Sequence, residues 1–398
     1  MLARRRPDQL APASESAAVS ASTKTPSTGG MAERHVRELL ELAQVEIGGH
    51  QPWDIQVHDD RLYRRVLSEG SLGLGESYMD GWWDCASLDA FMYRVLRADL
   101  DREVSGRYDL LLGVLSVVGN LQSKTRAWMV GHQHYDLDNR LYERMLDKRM
   151  IYTCGYWQNA TSLDQAQEDK LELVCRKLRL KPGDKLLDIG CGWGGLAEYA
   201  ARNFGVSVVG LTISEEQAKL ARERCAGLDV EIRLLDYRDI DERFDHVVSL
   251  GMFEHVGWKN YATYMEVVHN CLKDDGLFLL HTIGANRTHF GGDPWIDRYI
   301  FPNGELPSLV QIGKAIEGRF VLEDWHNFGA DYDKTLMAWH AIVDAAWDEL
   351  GEKYDERFRR MWRYYLLTCA GSFRARRNQL WQVVLSKSGV RGGYRAPR

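Results

Sequence analysis

The stretch LLDIGCGWGG, residues 186–195, decides the fold. Leu186, Leu187 and Ile189 carry an apolar strand into Gly190, Gly192 and Gly195, and the LAEYAARNF after them has helical spacing. Glycine is required where backbone must turn tightly and come close to a ligand, so this strand, turn and helix read as a binding loop. Outward from it the same rhythm repeats. Strands are expected over 185–189, 206–211, 230–235, 245–250, 277–283, 320–327 and 380–386, with helices at 195–203, 214–226 and 260–272 between them. Such alternation implies an α/β fold with a mostly parallel seven-stranded sheet and crossover helices. The segment 285–310, punctuated by Gly and Pro, is too long for a plain connection and is expected to form part of a substrate wall.

Toward the N-terminus the pattern changes. HVRELLELAQVEI from His35 has helical spacing, DIQVHD alternates like a strand, and RLYRRVLSEG returns to helix before a glycine stop. A small α-rich unit over 35–130 is expected, containing the aromatic segment SYMDGWWDC at 77–85. Before it, 18 of the 24 residues from Pro7 to Gly30 are Ala, Ser, Thr, Pro or Gly, which offers too little apolar surface to offset backbone ordering. Residues 1–34 therefore read as a disordered tail, and Met31 as a conceivable alternative start. The catalytic unit is expected over 131–390, with a basic tail at 391–398.

Composition narrows the function. Hydrophobic residues make up 45% and charged residues 27% of 398, as in globular proteins. Lys plus Arg (51) against Asp plus Glu (57) gives −6, so nothing favours nucleic acid as a partner. Seven cysteines without a CxxC pair indicate neither a disulfide framework nor a metal site. No apolar run approaches the ~18 residues of a spanning helix, and the start MLARRRPDQLAPAS lacks the apolar core of a secretory signal. A cytoplasmic location is expected.

The glycine loop leaves two cofactor classes. A nicotinamide site calls for an acid at the end of the second strand, whereas VVGLTIS ends there with Thr212. Asp188 before the first glycine gives a D-x-G-x-G order that resembles the first motif of class I S-adenosylmethionine-dependent methyltransferases, whose fold is Rossmann-like. A closer resemblance rests on HYDLDNRLYERMLDKRMIYTCGYW (134–157), SLGMFEHVG (249–257), LLHTIG (279–284), DPWIDRYIFPNGELPS (293–308), EDWHNFGADYDKTLMAW (323–339) and AGSFRARRNQLWQVV (370–384). From about residue 35 to 390 the chain resembles the bacterial cyclopropane-fatty-acyl-phospholipid synthases, relatives of the mycolic acid cyclopropane synthases. Asp138 departs from the glycine frequent in that family's HYDxGN.

The resemblance implies transfer of a methylene unit from S-adenosylmethionine to the cis double bond of an unsaturated phospholipid acyl chain, with bound bicarbonate as proton acceptor. Cys154, Glu254, His281, Ile283 and Tyr332 match the anion pocket. Tyr152, Thr153, Asp188, Gly190, Cys191, Gly192, Thr212, Gln217, Tyr237 and Arg238 match the cofactor site. Phe253 and Trp157 join Tyr332 as aromatic candidates for steadying a transient cation. Read singly, Cys154, His281 and Tyr332 are ordinary buried residues, and only Glu254, just past the fourth strand, stands where open α/β sheets place ligands. Cys369 is read as structural.

The resemblance also implies a homodimer and peripheral docking on the inner face of the membrane. Two features bear on docking: the seven Arg and Lys with no acid in 371–398, of which Arg374, Arg376 and Arg377 suit anionic headgroups or, equally, ion pairs elsewhere on the protein, and the apolar Tyr78, Met79, Trp82 and Trp83, which form a docking patch or, as is more frequent, fill the core of the small unit. Two alternatives remain open. One is a related lipid methyltransferase that leaves a methyl branch or modifies a headgroup, and the other is a non-catalytic S-adenosylmethionine-binding membrane module. A buried anion pocket at Glu254, His281 and Tyr332 would favour the synthase over both.

Overall fold

The computed structural model describes residues 30–100, 139–351 and 353–398. The sequence readings for 1–29 and 101–138 lie outside those residues.

The first helix opens at Met31 and runs to Leu42, so the tail expected through residue 34 ends earlier. Val36 and Leu40, one helical turn apart, bury together and extend the helix back over residues that composition assigns to the tail. The helix stops short of the expected end, and Val45 enters the core while Ile47 bridges Ile55. β1 (Ile55–Val57) pairs antiparallel with β2 (Trp83–Cys85). Between them the helix Arg61–Met79 passes through Gly70, expected as a stop. Gly70 has φ 60° and kinks the helix instead, because the apolar pattern resumes at Leu72 and rejoins the core. Tyr78, Met79 and Trp83 are buried, so of the two readings of this segment they fill the core of the unit and do not form a docking patch. Trp82 is half-buried, with Arg61 and Arg65 over its ring at 4.4 and 5.0 Å.

All seven expected sheet strands form. They are β3 (Lys185–Ile189), β4 (Ser207–Thr212), β5 (Val230–Leu234), β6 (Phe244–Leu250), β7 (Leu272–Ala285), β8 (Val321–Asn327) and β9 (Asn378–Ser386). Their order is β5-β4-β3-β6-β7-β9-β8, with β9 antiparallel to both neighbours. The order reverses at β3, which pairs β4 on one side and β6 on the other, and the crevice at such a switch point is where open α/β sheets bind ligands.

Of the two readings of the basic stretch, the ion pairs within the protein are the ones that form. Arg374 ends the helix Glu356–Arg374 and reaches Asp89 at 2.6 Å and Asp333 at 2.8 and 2.9 Å. Arg377 pairs with Asp99, and Arg376 bonds Gln379. Arg398 pairs with Asp324 at 2.6 Å, and the Tyr394 hydroxyl donates to the Lys177 carbonyl. Among the described residues, only Arg391 and Arg395 of the seven cations make no such bond. These charges face acids of the N-terminal unit and the sheet edge, so the stretch is a clasp between elements. Gly371 lets that clasp close, since a Cβ there would meet the Asp89 carbonyl at 2.4 Å.

Candidate active site

At the carboxyl ends of β3 to β6 lies one cavity, lined by all ten residues expected to hold the cofactor. Gly190, Gly192 and Gly194 take positive φ of 85°, 52° and 80°, which side chains resist, so the loop curls and bares its backbone. A Cβ on Gly192 would meet nothing within 4 Å, leaving room at the cradle floor. Gly195, read as a turn residue, serves close packing: a Cβ there would meet Ile151 at 2.4 Å and the Arg149 carbonyl at 2.6 Å. The helix Gly195–Phe204 then points its N-terminus at the loop.

Polar side chains ring the cavity. Thr212 donates its hydroxyl to Gln217 at 2.8 Å, and Ser214 accepts from the Gln217 amide, fixing the pair that replaces a ribose acid. Tyr152 and Thr153 close the opposite wall, with Thr153 accepting from Lys170 Nζ at 2.8 Å. Burial pushes the Asp188 carboxyl up to about 7, and nearby Lys170 pulls it down. Sequence reading missed Asp236, His255, Pro302 and Asn303, which also line the cavity. Asp236 anchors Arg238 through its backbone and guanidinium at 2.7–3.0 Å. It stands just past β5 as Glu254 stands just past β6, so the strand-end rule that singled out Glu254 could have found it. Pro302 and Asn303 belong to 285–310, which does form part of a wall, on the cofactor side.

None of the five residues expected in the anion pocket lines that cavity. They gather around the next strand end. Glu254 sits in the turn Phe253–His255 after β6, and its Oε1 accepts from the Ile283 N–H at 2.6 Å. Its Oε2 is buried without a hydrogen-bond partner, and burial pushes the carboxyl up to about 7 against the pull of the Ile283 N–H, its own N–H and the nearby Thr282 hydroxyl. Ile283 therefore contributes backbone rather than side chain. His281 is two residues earlier on β7, on the same face. It is 1% exposed, with Nδ1 3.3 Å from Gln382 Nε2 and Nε2 buried without a partner. Burial holds the ring far below its usual pKa, hence neutral, and its Nδ1 faces the Gln382 side-chain amide, which leaves Nε2 turned toward the site.

Tyr332 approaches from the helix Ala330–Ala345, stacked on Phe373 at 4.4 Å. Its hydroxyl is pushed well up, first by burial and then by Cys154, Glu254 and Tyr152, which places these groups within electrostatic reach. Cys154 is fully buried, its Sγ 3.2 Å from the Gly155 carbonyl and 3.8 Å from Thr335 Oγ1, and burial keeps the thiol protonated. Cys369, beside Tyr332, has its thiol pushed up to about 12, which suits a structural part. Phe253 stacks on Tyr261 at 4.2 Å inside the sheet core, and Trp157 donates to Thr335 at 2.9 Å. Among the described residues no group of three His, Cys, Asp or Glu could hold a metal ion, and no helix is long and apolar enough to cross a membrane.

A seven-stranded sheet of this order, with a glycine cradle at its switch point, defines an S-adenosylmethionine-dependent methyltransferase of class I. The family model of mycolic acid cyclopropane synthetases matches residues 122–383, and the chain belongs to that family. It is 58% identical to the cyclopropane-fatty-acyl-phospholipid synthase of Escherichia coli K12, over 92% of this chain and 96% of that one. Among solved structures, the cyclopropane synthase MmaA2 of Mycobacterium tuberculosis superposes with a TM-score of 0.62 at 30% identity, over 65% of this chain and 98% of that one. A mycolic acid cyclopropane synthase complexed with SAH and CTAB gives 0.61 at 31% identity, over 65% of this chain and 98% of that one. The open glycine floor, the Thr212–Gln217 pair and the buried Asp188 suit an adenosyl cofactor carrying ribose hydroxyls and an amino-acid end.

Proposed function

We propose that this enzyme is a cyclopropane fatty acid synthase that acts on unsaturated acyl chains of membrane phospholipids, with bicarbonate as the proton acceptor. The observation that carries this reading is the pair of orphaned buried atoms, Glu254 Oε2 and His281 Nε2, beside a cofactor cradle. A buried polar atom without a partner costs about 1–3 kcal/mol, so two such atoms at one strand end favour a bound guest. Bicarbonate has acceptor oxygens for the His281 Nε2–H and one O–H for the Glu254 carboxylate, so the donor set fits it.

S-adenosylmethionine supplies an electrophilic methyl: the alkene π pair takes the methyl carbon from sulfur, a cation forms, and loss of a proton from the new methyl lets that C–H pair close the ring. This chain's residues divide the remaining work. The cradle from Gly190 to Gly192, with Thr212 and Gln217, fixes the donor end. Glu254, as carboxylate, holds the O–H of the acceptor and so turns a basic oxygen toward the substrate, while His281 and Tyr332 donate to its other oxygens. The apolar walls exclude water that would capture the cation.

Docking on the lipid surface is part of the reading. It is supported by Phe290, Leu309 and Val310, exposed by 45%, 47% and 57%. They flank Thr288 and Ser308, whose hydroxyls bond at 2.7 Å, so the two segments lie together. Glu305, three residues before Ser308, donates its N–H to the Glu254 carbonyl at 2.9 Å, so this surface adjoins the site. Arg287 and Lys314 are exposed nearby for anionic headgroups. A homodimer at the cytoplasmic face completes the proposal. Mass spectrometry of lipids from a host lacking such activity tests the reading. Expression should add one CH₂ to monounsaturated phospholipids with loss of the alkene, and unchanged lipids in a host making folded protein would overturn it.

A further inference from the structure

Lys170 lies on the helix Leu163–Lys177, behind both halves of the site, and no part of the chemistry above uses it. It has no exposed surface at all. A buried ammonium is costly unless paired and hydrogen-bonded, and this one has a specific arrangement around it. Nζ donates to Thr153 Oγ1 at 2.8 Å. Its charge faces Asp147 before the loop to Thr153, Cys154 on that loop and Asp188 on β3, and it acts in turn on His281 of β7. Asp147 is already satisfied by the Ile151 and Arg149 N–H groups at 2.8 and 2.9 Å, so the ammonium is not there to complete that turn.

We infer that Lys170 is a positioning residue joining the cofactor cradle to the anion pocket: it fixes the Thr153 hydroxyl beside the cofactor, and its ammonium stands within electrostatic reach of His281 on the other side. The inference rests on the function proposed above and adds a residue to it. An ammonium has no acceptor, so Thr153 must accept from it, and the single Thr153 O–H then points elsewhere. The Thr153 methyl fills the space that a Cβ on Gly251 would need, 2.6 Å from it, so the side chain packs with its methyl toward Gly251 and its Oγ1 toward Lys170. Because Thr153 lines the cavity, its O–H becomes a donor aimed at the ligand, suited to the carboxylate of an amino-acid end. On the other side, Lys170 and Lys177 from the helix disfavour an imidazolium at His281, and Gln382 from β9 holds Nδ1. Gly251 donates to the His281 carbonyl at 2.9 Å, so the two sides also share a backbone bond.

The test compares the full-length protein with Lys170→Met, which keeps the length and loses the charge. Calorimetry with S-adenosylmethionine should show affinity falling about tenfold or more, the scale of a lost hydrogen bond to a charged group. Histidine ¹⁵N spectra should show His281 titrating at higher pH than in the parent while amide exchange along β7 stays as slow as in the parent, since loosened packing would raise both together. Thr153→Val should weaken the cofactor while leaving His281 where it was. Unaltered affinity together with an unmoved His281 in Lys170→Met would overturn the inference, while absence of lipid product from the parent with both readouts as expected would count against the synthase reading alone. Should Lys170→Met fail to fold, the parent decides: its Lys170 ¹⁵Nζ resonance should shift when S-adenosylmethionine is added, and an unmoved resonance would overturn the inference.

Discussion

The cofactor cradle and the proposed anion pocket adjoin, yet they are built in opposite ways. The cradle is mostly backbone and short polar side chains at consecutive strand ends, open to solvent on one side, and its ten expected residues share one cavity. The pocket draws single side chains from the loop after Met150, the turn after β6, the strand β7 and the helix Ala330–Ala345, and it leaves two polar atoms buried without partners. Binding a large, partly charged cofactor needs many modest contacts. Holding a small anion beside a forming cation needs few groups, dry and rigid.

That contrast predicts different losses. Glu254→Gln keeps shape and removes the carboxylate, so turnover should fall by roughly 10²–10⁴ with cofactor affinity unchanged within about twofold, as read by steady-state rates and calorimetry. Turnover within about twofold of the parent would break the division of labour. The same carboxylate sets a pH limb. Burial raises Glu254 to about 7, and only its ionised form can accept the guest's O–H, so at fixed bicarbonate the rate should climb as pH rises through that value. Below it the rate should drop about tenfold per unit, and the limb should vanish in Glu254→Gln.

The cradle should break in the other sense. In Gly190→Ala the new Cβ meets Met252 at 2.8 Å on a backbone of φ 85°, a strain of about 1–3 kcal/mol. KM for S-adenosylmethionine should rise about tenfold while kcat falls less. A drop in kcat alone would mean the cradle takes part in the proton step.

Legibility in the sequence tracks the same contrast. The strands and Gly190–Gly192 are readable because a strand-end loop keeps its parts within a few residues and glycine has one reason to recur there. Cys154, His281 and Tyr332 carry no local signal, since each alone is an ordinary buried residue, and only resemblance to a family assembles them. Asp236 is readable from its strand end, although its neighbours Tyr237 and Arg238 draw the eye first. Arg374, Arg376 and Arg377 stay undecided in the sequence because a run without acids shows no partners in one dimension, while Asp89, Asp99 and Asp333 come from distant elements. Gly70 misleads for the reverse reason, a local stop signal outweighed by the burial of Leu72 and its neighbours further along the helix.

The smallest expected effect checks the ion-pair reading of the basic stretch. Arg374→Ala removes ion pairs to Asp89 and Asp333 at a site about a third exposed, so it should cost about 1–2 kcal/mol and lower Tm by a few degrees. Binding to anionic vesicles should not change. Weaker vesicle binding at unchanged Tm would return the basic stretch to the membrane.

The central claim is that the anion pocket takes a proton from the methyl the cradle delivers. It is tested most directly by supplying S-adenosylmethionine with a fully deuterated methyl to vesicles of monounsaturated phospholipid and weighing the product. The account predicts that two of the three deuterons stay in the lipid, the third having left from the new methyl. Retention of all three would contradict it, because the methyl would then have been transferred without losing a proton, and Glu254 and His281 would have no such part to play.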